Sequence, residues 1–146
     1  MRTYHITDFV PEGHAPTKNE MRNLSNLAEL VLTPILEKLD TDITITSGLR
    51  LIAKNLLVGG VMHSDHLFGS AVDFVSANPT IVPTSKFFLT AIEIDVPYRQ
   101  CIYSKRGDAI WLHISVNHKD NPYKHEAFVE DNGKFTLYNK GDKLTC

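Results

Sequence analysis

Hydrophobic positions along the chain change period several times, and each change marks an element. From Lys18 to Leu39 the residues Met21, Leu24, Leu27 or Ala28, Val31, Ile35 and Leu39 fall at helical spacing, which predicts a long amphipathic helix. Pro34 removes a backbone donor inside it and predicts a kink or a split. At Asp42–Ser47 the period becomes two and β-branched residues dominate, as in a half-buried strand ending at Gly48. Leu51 to Val58 reads as a short helix closed by Gly59-Gly60, Ala71–Val75 as a strand, and Thr84 to Ile94 as a helix opened by Pro83. Gln100 to Tyr103 and the very regular Ile110 to Val116 predict two further strands. Beyond them, Glu126–Val129 and Lys134–Tyr138 flank Asp131-Asn132-Gly133, the composition of a hairpin turning at Asn-Gly. The expected class is α+β: a small, mostly antiparallel sheet with helices packed on it, a cleft on the open face and a C-terminal β-hairpin extension. With no internal repeat or low-complexity block, residues 1–146 are expected to form a single domain.

Composition narrows the function. A chain of 146 residues that is 42% hydrophobic can bury one core. Fifteen basic against 17 acidic residues, a formal net charge of -2, supply no electrostatic footprint for a phosphate backbone or an anionic membrane. Neither nucleic acid nor membrane is therefore an expected partner. Two cysteines, Cys101 and Cys146, cannot form a stapling framework, and Cys146 is expected to be an exposed free thiol. The opening residues Met1–Asp8 lack the apolar run of a secretory leader, and no later segment approaches the roughly 20 apolar residues that span a bilayer. Synthesis in the cytoplasm as a soluble protein is the expectation.

The chemistry concentrates in Ser64-Asp65-His66-Leu67-Phe68-Gly69-Ser70-Ala71-Val72-Asp73. Asp73 would project from a strand while His66 comes from the loop leading into it, and Gly69, Ser70 and Ala71 are small enough to let that loop lie against the sheet. An aspartate inside Val72-Asp73-Phe74-Val75 is costly if buried unpaired and calls for a cation. In Ile110–Val116 the residues Ile110, Leu112, Ile114 and Val116 share the core face, and Trp111, His113 and Ser115 the other. That second face resembles a cleft wall and could bring His113 to a metal held by His66 and Asp73. Two imidazoles and a carboxylate would leave a zinc ion with an open coordination position. A lone strand histidine is more often a hydrogen-bonded structural residue, and a lone aspartate a turn or capping carboxylate; the two segments together favour the metal.

At these residues the sequence resembles a known family. Ser64, His66, Gly69, Ala71 and Asp73 stand in the S-x-H-x-x-G-x-A-x-D pattern of the zinc D-alanyl-D-alanine peptidases, and Trp111, His113 and Ser115 resemble their closing W-x-H-x-S strand. Ser47-Gly48-Leu49-Arg50, with Asn55 and Gly59-Gly60 after it, is similar to the family's S-G-[YF]-R segment, and Asn23, Leu24, Leu27 and Leu36 sit where the family carries its first helix. The likeness runs from about Phe9 to Ser115 and leaves 117–146 as an extension.

The resemblance implies a zinc peptidase acting on the peptide stems or cross-links of bacterial peptidoglycan. Its ligands would be His66, Asp73 and His113, with Arg50 stabilising an oxyanion or holding a substrate carboxylate. Trp111, Ser64 and Ser115 would line the substrate side. Many relatives also carry an acid three residues before the last histidine or on the preceding strand, where this chain has Ile110 and about Ser104. Asp108, in the loop Lys105-Arg106-Gly107-Asp108, is the first substitute as general base, ahead of Asp65 and His63. His118, Tyr123 and His125 of the extension could line the cleft, although a mixed polar loop accounts for them as well. The absence of a leader would suit a bacteriophage product released to the cell wall or carried on the virion, with the extension's edge strand a route to contacts with virion proteins. The alternative is a virion structural or wall-binding module that keeps the scaffold without hydrolysis. A metal-free structural domain is the third reading.

Overall fold

The structure is a computed structural model that describes residues 6–50 and 64–144. The expected helix Leu51 to Val58, with Asn55, Gly59-Gly60, His63 and Cys146, lies outside the described residues. Helix α1 (Lys18–Asn26) opens on Thr17, whose side chain accepts from the Glu20 amide while the Glu20 carboxylate accepts from the Thr17 amide. The helical path then continues through a widened π-type stretch, Leu27–Leu32, into α2 (Thr33–Leu39). Pro34 therefore does not break the helix. The ladder has already shifted register one residue before it, with the Thr33 amide donating to the Ala28 carbonyl five residues back. Such widening opens space where the proline ring would otherwise crowd the preceding turn. Leu24, Leu27, Val31 and Ile35 form the fully buried stripe, while Met21 at its upstream end is 40% exposed.

Six strands form one sheet: β1 (Ile43–Ser47), β2 (Ala71–Ser76), β3 (Tyr98–Arg106), β4 (Ala109–Val116), β5 (Glu126–Asp131) and β6 (Lys134–Tyr138), in the spatial order β1-β2-β4-β3-β5-β6. All neighbours are antiparallel except β3 and β5. The chain leaves β4 beside the start of β3 and turns back along β3's free edge, so β5 must run in β3's direction. Helix α3 (Thr84–Glu93) and the 18–39 helix cover one face of the sheet, where Val72, Phe74, Leu112, Ile114, Phe87, Phe88 and Ala91 are fully buried. Burying each large side chain of this kind is worth roughly 1.5–3 kcal/mol.

Alternation sends the remaining residues of the same strands to the opposite face. Asp73 pairs with His113, His113 with Ile102 and Ile102 with Phe128, so these four share a row across β2, β4, β3 and β5. The next row on that face holds Trp111, Ser104, Glu130 and Phe135. The Asn132-Gly133 turn between β5 and β6 follows its sequence signal, with φ 49° and 90°, and the loop between β3 and β4 turns at Gly107 with φ 57°.

Candidate metal centre

His66, Asp73 and His113 converge, each offering a ligand atom within 4.8 Å of the other two. Three elements bring them together. His66 sits in a one-turn 3-10 helix, Asp65–Phe68, whose start is capped by the Ser64 hydroxyl accepting from the His66 amide. Asp73 is the third residue of β2, and His113 lies directly opposite it on β4. Around them opens a cleft of roughly 270 Å³, whose walls include Arg50, Ser64, Ser104, Trp111, Glu130 and Phe135.

The donor chemistry tests whether a cation fits. His66 Nδ1 lies 2.7 Å from the Gly48 carbonyl oxygen, which can only accept, so Nδ1 carries the proton. In a neutral ring, Nε2 then presents a lone pair to Asp73 Oδ1 at 3.2 Å, acceptor facing acceptor. A second proton would relieve this, yet burial lowers the His66 pKa against the opposing pull of Asp73. A metal ion between the two atoms relieves it as well. His113 Nδ1 lies 2.9 Å from the same Oδ1. Bonds of about 2.0–2.1 Å in a tetrahedral centre set ligand atoms about 3.3 Å apart, close to both spacings. The residues present therefore fit zinc, and the Gly48 carbonyl would fix the tautomer of His66 as a ligand.

Two glycines make this geometry accessible. A Cβ on Gly48 would lie 2.3 Å from the Phe9 carbonyl oxygen, the same oxygen that accepts from the Leu49 amide at 2.7 Å. Gly69 ends the metal turn at φ 72°, where a Cβ would also press on the backbone of Glu20 in α1. Asn23 of α1 donates to the Phe68 carbonyl at 2.8 Å, tying the long helix to the turn.

Asp73 is the hub. Burial pushes its carboxyl up, but the imidazoles of His113 and His66 beside it outweigh burial and hold it well below the usual carboxylate range. Arg50 donates to its other oxygen, Oδ2, at 3.1 Å and to the Ser47 hydroxyl at 3.0 Å. The Arg50 amide also donates to the His66 carbonyl at 2.8 Å, so Arg50 braces both the carboxylate and the metal turn.

The other expected site residues divide. Trp111 and Ser64 line the cleft, with the Arg106 guanidinium carbon 5.3 Å from the Trp111 ring centroid. Ser115 does not line it: wholly buried, its hydroxyl accepts from the Gln100 amide at 3.0 Å beside the irregularity in β3.

Asp108 stands apart from the three converging residues. It is exposed in the β3–β4 turn, five residues from His113 along an extended strand, a path of roughly 16 Å. The turn is also pinned, because the Asn132 side chain accepts from the Gly107 amide at 2.8 Å and the Asn132 amide donates to the Lys105 carbonyl at 2.7 Å. Both bonds hold the turn that carries Asp108 beside the other hairpin.

Asp65 is engaged elsewhere: its oxygens accept from Arg99 at 2.8 Å, His118 at 2.9 Å and Asn121 at 2.8 Å. That contact buries the His118 side chain completely. Tyr123 is 79% exposed, and His125 stacks on Tyr98 and contacts Asp95. None of the three lines the metal cleft.

The second carboxylate of the cleft escaped the sequence reading: Glu130 of β5. It is 2% exposed, accepts from the Ser104 hydroxyl at 2.8 Å and pairs with Arg106. Its only sequence signal is alternation. Ala127 and Val129 point to the core, which leaves Phe128 and Glu130 on the cleft face.

Residues 9–99 match the profile of the family described as Peptidase M15. No curated protein matches the chain. The matched span contains Arg50, His66 and Asp73 and ends before β4, so His113 joins the site through its pairing with Asp73. Because the match covers more than half of the sequence, the chain belongs to the Peptidase M15 family, whose members are zinc-dependent peptidases.

Proposed function

We propose that this protein is a zinc-dependent peptidase that hydrolyses the peptide stems or cross-links of peptidoglycan, in the role of a bacteriophage cell-wall-degrading protein. One observation carries the hydrolytic reading: two imidazole nitrogens from separate segments meet a single oxygen of Asp73 at the floor of an open cleft. His66, Asp73 and His113 would hold the ion, which when bound polarises a peptide carbonyl and acidifies water. Arg50, braced against Asp73, would take a substrate carboxylate or the oxyanion that develops at the carbonyl, a task for which its fixed fork of donors is suited. Trp111 supplies a flat apolar wall and Ser64 a polar one. The phage setting rests on the family resemblance of the motifs alone.

Zinc per chain and muropeptide release from isolated sacculi test the reading together. The wild type is expected to carry stoichiometric zinc and to release muropeptides, and His66→Ala to lose both. Stoichiometric zinc without release at any protein concentration would make the chain a wall-binding module. Absence of zinc from protein purified and assayed with the metal supplied would make it a structural domain.

A further inference from the structure

Hydrolysis of an amide needs a group that removes a proton from the attacking water and returns one to the departing amine. Among the described residues lining the cleft, only Asp73 and Glu130 carry carboxylates. Asp73 is already committed, with Oδ1 facing two imidazoles and Oδ2 bonded to Arg50. We propose that Glu130, contributed by β5 of the C-terminal extension, is the general acid–base residue of this cleft. The assignment rests on the peptidase reading above.

Register puts Glu130 where the role requires. It pairs with Ser104, which pairs with Trp111, so its side chain rises from the row next to the one that carries Asp73 and His113. Ser104 is small, and the carboxylate lies over it, with Oε1 2.8 Å from the Ser104 hydroxyl. The side chain therefore leans across β3 toward the cleft instead of out to solvent. Arg106 binds the second oxygen, and the guanidinium is itself held beside the Trp111 ring. A carboxylate fixed from both sides at 2% exposure is aimed before substrate arrives, and its position costs little reorganisation during reaction.

The proton balance is complete within the cleft. As the water oxygen adds to the carbonyl carbon, Glu130 accepts one of its protons. As the C–N bond breaks, the protonated Glu130 gives that proton to the nitrogen, and the products are a carboxyl group and an amine. Glu130 ends as it began, a carboxylate.

The decisive comparison uses the zinc-loaded full chain as wild type, Glu130→Gln and Glu126→Gln, the last being a carboxylate on the same strand outside this cleft. Glu130→Gln is expected to keep stoichiometric zinc while muropeptide release falls roughly 10²–10⁴-fold, the usual contribution of a positioned acid–base group; Glu126→Gln should match the wild type. In the cobalt-loaded protein, Glu130→Gln should shift the pH midpoint of the visible spectrum, a readout that needs no turnover. Wild-type release by Glu130→Gln, loss of its metal, or coincident cobalt midpoints would each overturn the assignment. If glutamine at this position prevents folding, Glu130→Asp keeps the charge and withdraws the carboxylate by one methylene. A tenfold or greater fall with zinc retained supports the role, and unchanged release refutes it. Failure of the wild type itself to release muropeptides would instead sink the peptidase reading and this assignment with it.

Discussion

Two buried aspartates stand eight residues apart, at either end of the metal turn, and their surroundings differ in kind. Asp65 is saturated by the protein: Arg99, Asn121 and His118 all donate to it, and every donor belongs to β3 or to the loop before β5. Asp73 shares one oxygen between two imidazoles, one of which presents a lone pair to it. The first arrangement is complete as it stands and locks the tail loop onto the turn that carries His66. The second is an arrangement that a cation would complete. Burial of a carboxylate thus says little about function; the count and polarity of its partners decides between a strut and a ligand.

The contrast can be broken most severely at Asp73. Asp73→Ala is expected to abolish zinc binding and release from sacculi, measured by metal content of the dialysed protein and by muropeptide analysis. Asp65→Ala should leave zinc bound to the folded fraction but destabilise the fold by about 3–5 kcal/mol in denaturant titration, because it leaves buried Arg99 unpaired. Retention of full stability would show that the loop is held by other contacts.

Acid titration sharpens the same difference. The Asp65 carboxyl is held down from its ordinary 3.8 to about 2: burial pushes it up, but hydrogen bonds from His118 and Asn121 and the Arg99 charge outweigh burial. A depressed pKa stabilises the fold above the unfolded value, and that contribution disappears as pH falls through the folded one. Wild type should therefore lose about 2 kcal/mol between roughly pH 4 and pH 2 that Asp65→Asn does not lose over the same window, read as the difference between their unfolding curves at each pH. The smallest effect is expected at the exposed turn. Asp108→Asn should change stability by less than about 0.5 kcal/mol and leave muropeptide release at the wild-type rate; a drop in release would reinstate Asp108 in the chemistry.

Several parts of the site were legible in the residues themselves. Spacing around His66 and Asp73 announced a ligand-bearing turn feeding a strand, and the alternation of Trp111-Leu112-His113-Ile114 assigned His113 to the open face. Alternation is a local property of extended backbone, so it survives without knowledge of neighbours. The expectation of Asp108 as base drew on nearness along the chain. Proximity along the chain is not proximity in space when the intervening residues are extended, and the turn that holds Asp108 is clamped by Asn132 of another hairpin. Glu130 was invisible as a cleft residue because nothing in Phe128-Val129-Glu130 says which strand β5 will join.

The sequence by itself determined most element types, the core stripe of the long helix, the Asn132-Gly133 hairpin turn and the identity of the three converging side chains, since each is encoded by short-range periodicity, turn stereochemistry or motif spacing. Only tertiary structure decided that β5 runs parallel beside β3 in the register Ser104 to Glu130, that Asp65 is satisfied by Arg99 and the tail loop, and that Gly48 must be bare so that the Phe9 backbone can approach it. These outcomes depend on contacts between residues tens of positions apart, whose pairing is selected by the packing of the whole sheet and by the cost of leaving a buried charge without partners.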